Sequence, residues 1–150
     1  MGLREVDFHK GEWSPVEGLP LCGNKFEILV SHGFCDFEQA QISHTLRLAN
    51  SLLPNPIFAW KCVSETAGTI RSINEVSIEA QPMSDGDAHT MIVLGGATCM
   101  SHAWMRHVRL MQRRGFPVVL LSGAATSYIK NTVNAGRVTT HWHDAQQLAE

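Results

Sequence analysis

The chain has 150 residues, enough for one domain that buries roughly 70% of the surface its unfolded form exposes, with no need of disulfide or metal staples. Apolar residues make up 44% and charged residues 17%, mean hydropathy is -0.06, and the apolar runs are too short to cross a bilayer, which excludes a disordered chain and a membrane span. Twelve Lys and Arg against fourteen Asp and Glu leave a net charge of -2 with no basic cluster, so the electrostatic term on which nucleic-acid affinity depends is missing.

Residues 1–24 hold Gly11, Pro15, Gly18, Pro20 and Gly23 without periodicity and read as an N-terminal extension; the domain proper spans 25–150. Phe26 to Ser31 is a short apolar run ending at His32-Gly33, as a buried strand feeding a tight turn would. From Asp36 to Leu52 the pattern becomes helical through Phe37, Ala40, Leu46, Leu48, Ala49 and Leu52, with Ile42 off the stripe, and Pro54 and Pro56 end the helix. Ile57 to Val63 reads as a second strand, and Thr69 to Ile73 and Val76 to Ile78 as short extended pieces. Thr90 to Leu94 is apolar without alternation, the mark of a strand covered on both faces, and stops at Gly95-Gly96.

Ser101 to Arg114 is a helix with a Ser N-cap, and Gly115 closes it. Its apolar set, Trp104, Met105 and Met111 with Met100 just before it, reads as core. Arg106, Arg109, Arg113 and Arg114 read as a solvated face. Pro117 to Leu121 is again a continuous apolar strand, followed by Ser122-Gly123 and a helix to about Val133; Arg137 to Thr140 is a last strand-like piece. Strands and helices in this alternation predict a doubly wound, three-layer α/β sandwich of flavodoxin-like type with a mostly parallel sheet. Ligands of such sheets collect at the carboxyl ends of the strands, which makes His32-Gly33, Gly95-Gly96 and Leu121-Ser122-Gly123 the rim of any site.

Cys22, Cys35, Cys62 and Cys99 form no C-x-x-C pair, and the N-terminus lacks a secretory apolar stretch, so a cytoplasmic protein with reduced thiols is expected. Gly95-Gly96 lacks the spacing of a phosphate loop, and its glycines instead let backbone segments approach closely. His141-Trp142-His143-Asp144 offers two histidines but no third and fourth ligand, so neither metal nor cofactor is expected.

Gly33-Phe34 with Glu38, Leu46-Arg47-Leu48-Ala49-Asn50, Val93-Leu94-Gly95-Gly96, Ser122-Gly123-Ala124 and Gly136 to Trp142 together resemble the ThiJ/PfpI-like domain of the class I glutamine-amidotransferase-like superfamily. The resemblance runs from about Lys25 to the last residue and is strongest to the GlxA-type branch, where this domain is the N-terminal sensory half of AraC/XylS-family transcription regulators. Its enzymes carry a cysteine on a strained strand-to-helix elbow, typically within Cys-Thr-Gly-Ala. The matching string here is Leu121-Ser122-Gly123-Ala124, which implies that Leu121 occupies the nucleophile's position, that Ser122 is one residue off with its hydroxyl directed elsewhere, and that no residue is catalytic.

Glu38 matches the superfamily's glutamate beside that cysteine, or else is an ordinary first-turn carboxylate, and His141 matches the histidine near the elbow or is structural. The resemblance implies a non-catalytic sensing or dimerisation domain that binds a small-molecule effector through Glu38, Gly95, Gly96, Leu121, Ser122, Gly123 and His141. It further implies a homodimer, a domain truncated at its C-terminus, and contact with DNA only through a helix-turn-helix region absent from this chain. The alternatives are a superfamily enzyme of amidase, hydratase or deglycase type that uses Cys99, Cys35 or Ser122, and a stand-alone dimerisation module.

Overall fold

A computed structural model describes residues 24–83, 87–96 and 101–132. Six strands, β1 (Asn24–Leu29), β2 (Phe58–Ser64), β3 (Gly68–Arg71), β4 (Ser77–Pro82), β5 (Thr90–Val93) and β6 (Val118–Leu120), combine with helices α1 (Asp36–Ser51), α2 (His102–Arg113) and α3 (Gly123–Asn131). The strands form one sheet in the order β3-β4-β2-β1-β5-β6. Every neighbouring pair is parallel except the β3–β4 hairpin. The two late apolar runs are parallel neighbours as expected, with Met91 opposite Val118 and Val93 opposite Leu120. The fold is the doubly wound α/β sandwich, and the expected extension, Cys22, Cys99, Met100, the strand at 137–140 and His141 lie outside the described residues.

Alternation along the central β1 sorts its side chains between two cores. Ile28 packs with Val30, Phe34, Ile70, Ala80 and Leu94 on the α1 side of the sheet, where Ile42 of α1 joins them. On the opposite side Leu29 packs with Val63, Met91, Val93, the α2 residues Trp104, Met105, Val108 and Met111, and Ala124 of α3. The apolar set expected on α2 is therefore core.

Both ends of α2 match their sequence signals. The Ser101 hydroxyl accepts from the Ala103 N–H at 3.1 Å. At the other end Gly115, at φ 74, carries the chain into the left-handed region. Its N–H bonds Gln112 O at 3.0 Å and the Phe116 N–H bonds Met111 O at 3.0 Å, the paired bonds of a Schellman stop. Helix α1 departs from the expected stripe: Phe37, Leu48 and Leu52 are exposed, Leu46 is the buried residue, and Ile42, set aside as off-pattern, faces the core. Its seat depends on Asn50, whose carboxamide oxygen accepts from the N–H groups of Ile57 and Phe58 and whose amide donates to Phe58 O at 2.8 Å. The Asn of Leu-Arg-Leu-Ala-Asn thus joins the end of α1 to the start of β2.

Candidate functional site

At the junction of β6 and α3 the chain turns sharply. Leu121 N still bonds Val93 O at 2.9 Å, so Leu121 belongs to the sheet, yet Ala124 N already bonds Leu121 O at 3.0 Å. The residue between them absorbs the reversal: Ser122 sits at φ 45, ψ -127, a conformation open to glycine and costly for any residue with a Cβ. The strained residue thus lies one position after the one that the string match pairs with the nucleophile. The positive φ falls on Ser122, and the half-buried Leu121 packs against the α1-side core cluster that holds Ile28, Val30 and Leu94. The physical reason is that Leu121 keeps the sheet's hydrogen bond, so the strained turn can begin only one residue later.

The Ser122 hydroxyl is also not directed elsewhere. It donates to Glu38 Oε1 in a short hydrogen bond, which joins the first turn of α1 to the opening of α3. Glu38 is brought there by the loop after β1, which Gly33 turns at φ 79. That loop is clasped by the β3–β4 connection, with Gly33 N bonding Arg71 O at 2.8 Å and Ile73 N bonding Phe34 O at 2.9 Å. Asp36 in the same first turn accepts from the Asn74 side chain at 2.8 Å. Glu38 is therefore no free first-turn carboxylate. Its second oxygen, Oε2, is buried and has no hydrogen-bond partner among the described residues. Ser122 and Gly123 beside it are exposed.

Gly95 and Gly96 close the rim. A Cβ on Gly95 would lie 2.8 Å from Gly123 N, and one on Gly96 would lie 2.3 Å from Ser31 Oγ and 3.0 Å from His32 O. The end of β5 is thus packed against both the first residue of α3 and the loop after β1, a fit that only glycine allows. Glu38, Leu121, Ser122, Gly123, Gly95 and Gly96 all converge on the carboxyl edge of the sheet, while His141 lies outside the described residues. Along the same edge a cavity of about 230 Å³ opens where β1, β2 and β5 end, lined by Ser31, His32, Ser64, Glu65, Ser101 and Trp104 among others. Ser101 donates to Glu65 there in a short hydrogen bond.

Among the described residues neither Cys35 nor Cys62 bonds to Ser122 or Glu38. Burial pushes the Cys62 thiol up, only partly offset by the Gln39 side chain donating to it at 3.7 Å, so it is a poor nucleophile. Cys35 is half-buried at the N-cap of α1, where it makes no side-chain capping bond. Among the described residues no group of three or more His, Cys, Asp and Glu gathers as a metal site.

One cluster escaped sequence reasoning. Glu27, fully buried in β1, lies 3.2 Å from Lys61 Nζ in the adjoining strand and 3.2 Å from His107 Nε2 on α2. Glu27 and Lys61 are directly opposite in the β1–β2 register. The available signal was one charged residue inside each of two otherwise apolar strand runs, at matching depth.

No protein-family model and no curated protein matches the chain. Solved structures do. A crystal structure of an AraC family transcriptional regulator from Pseudomonas putida superposes with a TM-score of 0.67 at 14% identity, covering 84% of this chain and 71% of that one. Drosophila melanogaster DJ-1beta gives a TM-score of 0.70 at 15% identity over 85% of this chain and 71% of its own. A ThiJ/PfpI domain protein from Brachyspira murdochii gives 0.61 at 14% over 84% and 74%. What the chain has in common with all three is the fold.

Proposed function

We propose that this chain is a small-molecule sensing domain of the ThiJ/PfpI-like type, of the GlxA-like kind that serves AraC-family transcription regulators, and that it binds its effector without catalysis. The observation that carries the reading is the buried Glu38 Oε2, without a partner among the described residues, beside an exposed Ser122 held in a strained backbone. A carboxylate oxygen closed off from water loses free energy until a donor reaches it, and a ligand N–H or O–H at the elbow supplies that donor. Gly123 opens α3, and a helix's first N–H has no intrahelical acceptor, so it adds a donor for a ligand oxygen. The effector class is therefore a small polar molecule that presents both a donor and an acceptor, seated by Glu38, Ser122, Gly123 and the glycine pair Gly95-Gly96. Leu121 supports the floor from the core, and His141 is proposed as a further contact. The wider reading includes a homodimer in the cytoplasm that reaches DNA through a helix-turn-helix partner region.

The non-catalytic form rests on the chemistry at residue 122. A helix N-terminus lowers a thiol's pKa into a useful range, whereas a serine hydroxyl needs an adjacent general base, most often histidine, and the side chain bonded to Ser122 is Glu38. One observation favours a second reading, an enzyme with Ser122 as nucleophile: a serine on a strained strand-to-helix turn is the arrangement of a nucleophile elbow. Two measurements separate them. In a thermal-shift screen of small polar metabolites, a compound that stabilises the wild type and not Glu38→Gln supports the sensor. Turnover of amide or ester substrates, or a fluorophosphonate adduct mapped to Ser122, overturns it in favour of the enzyme.

A further inference from the structure

The outer side of α2 holds a second cavity, of about 660 Å³, remote in chemistry from the elbow. Its lining joins His102, Arg106, Arg109 and Arg113 to the apolar Met105 and Leu110, with Ser101 at the start of α2 and Asn131 on the α3 side. At 3.6 residues per turn, positions 102, 106, 109 and 113 fall within a sector of about 60°, and Arg106 to Arg113 spans about 10 Å along the helix. One stripe of the helix is thus cationic over its length. The opposite stripe, with Trp104, Val108 and Met111, is core, which fixes the helix's rotation and aims the arginines outward.

Among the described residues no carboxylate lines this groove, and Arg106, Arg109 and Arg113 are exposed and form no ion pair. The chain as a whole carries a net charge of -2, so the concentration of positive charge here runs against its balance. The three guanidinium groups supply donors in abundance, while the Ser101 hydroxyl is already given to Glu65, and Met105 and Leu110 add apolar flanks. A sugar or other polyol would need acceptors as well as donors. Three guanidinium groups on one stripe fit a ligand group rich in acceptor oxygens, and Arg forks match phosphate oxygens two at a time. The volume is that of a small-molecule site.

We propose that the α2 groove is a binding site for an extended oligophosphate group, free or carried on a small metabolite, separate from the effector site at the elbow. Arg106, Arg109 and Arg113 grip successive phosphoryl groups, and Ser101 and Asn131 close the two sides. Ser101 also borders the strand-end cavity, so the two cavities adjoin at the N-cap of α2.

The probe is inorganic tripolyphosphate, titrated calorimetrically into the chain at constant ionic strength, with tricarballylate as a carboxylate control. Saturable one-site binding is expected, weakened at least about tenfold in Arg106→Gln/Arg109→Gln, since each charged hydrogen bond contributes about that factor. Both substitutions are on exposed positions, and circular dichroism of the variant confirms that it folds. Glu38→Gln is expected to bind tripolyphosphate as the wild type does, which keeps this site independent of the elbow. The proposal is overturned if no saturable binding appears, if the double variant binds equally well, or if tricarballylate binds as tightly as tripolyphosphate.

Discussion

Glu27 and Glu38 are both drawn away from water, and the molecule treats them differently. Glu27 is fully buried and has each oxygen 3.2 Å from a nitrogen, Lys61 Nζ on one and His107 Nε2 on the other. Glu38 has one oxygen bonded to Ser122 and the other buried without a partner among the described residues. A completed network fixes structure: Glu27 ties β1 to β2 and to α2 at the centre of the sheet. A half-completed one at the sheet's carboxyl edge, next to strained backbone, is the feature on which the proposed effector site rests. The lesson is that burial alone does not mark a functional carboxylate; the unfilled hydrogen-bonding capacity does.

The sharpest way to break the comparison is to substitute both. Glu27→Gln leaves Lys61 and His107 facing a neutral amide in the core and is expected to cost about 3–5 kcal/mol in urea unfolding. Glu38→Gln is expected to change stability by no more than about 0.5 kcal/mol, because the amide oxygen still accepts from Ser122. Equal losses at the two positions would show that Glu38 is structural too.

A smaller loss is expected where the rim is closed by backbone. Gly95→Ala places a methyl 2.8 Å from Gly123 N, and backbone cannot swing aside as a side chain can. A cost of about 1–3 kcal/mol is expected, together with loss of effector binding, since the start of α3 must shift. A neutral Gly95→Ala would mean that the end of β5 and the opening of α3 are not in contact.

Ser122→Gly runs the other way. Removing the Cβ relieves a conformation that costs a non-glycine residue about 1–3 kcal/mol, while glycine's extra unfolded freedom takes back up to about 1. A net gain of about 1 kcal/mol is expected in thermal or urea unfolding, with effector binding lost along with the hydroxyl. Stability held back at one position for a binding group would separate the elbow from Glu27, where stability and structure coincide.

Much of this was legible in the sequence because the signals were redundant. Continuous apolar runs at Phe26, Thr90 and Pro117 identified three strands of the sheet, and Ser101 and Gly115 bounded α2 because capping chemistry is local. The glycine pair was readable as a close approach, though what it approaches was not. α1 was harder. It is covered along one narrow line through Leu46 and Ile42, so the 3.6-residue pattern found Leu46 but also took in Phe37, Leu48 and Leu52, which lie exposed.

The strained residue was not legible in the sequence because matching a four-residue string carries no backbone angles. Only the bond from Leu121 N to Val93 O and the positive φ at Ser122 decide which residue turns. The Glu27 cluster was hidden for a related reason. Its members are far apart in sequence, and the sheet register that aligns Glu27 with Lys61 is a tertiary fact. The same holds for the arginines of α2, which read as a solvated face until α3 was seen to border them.

Parallel alkylation of Ser122→Cys and Leu121→Cys with iodoacetamide, followed by peptide mapping, tests the elbow most directly. With residue 122 exposed at the opening of α3 and residue 121 packed against the core, Ser122→Cys is expected to be labelled at least about tenfold faster than Cys35, Cys62 or the thiol of Leu121→Cys. Labelling of Leu121→Cys ahead of Ser122→Cys would return the elbow to residue 121, and the pairing of Ser122 with Glu38 as a ligand site would fall with it.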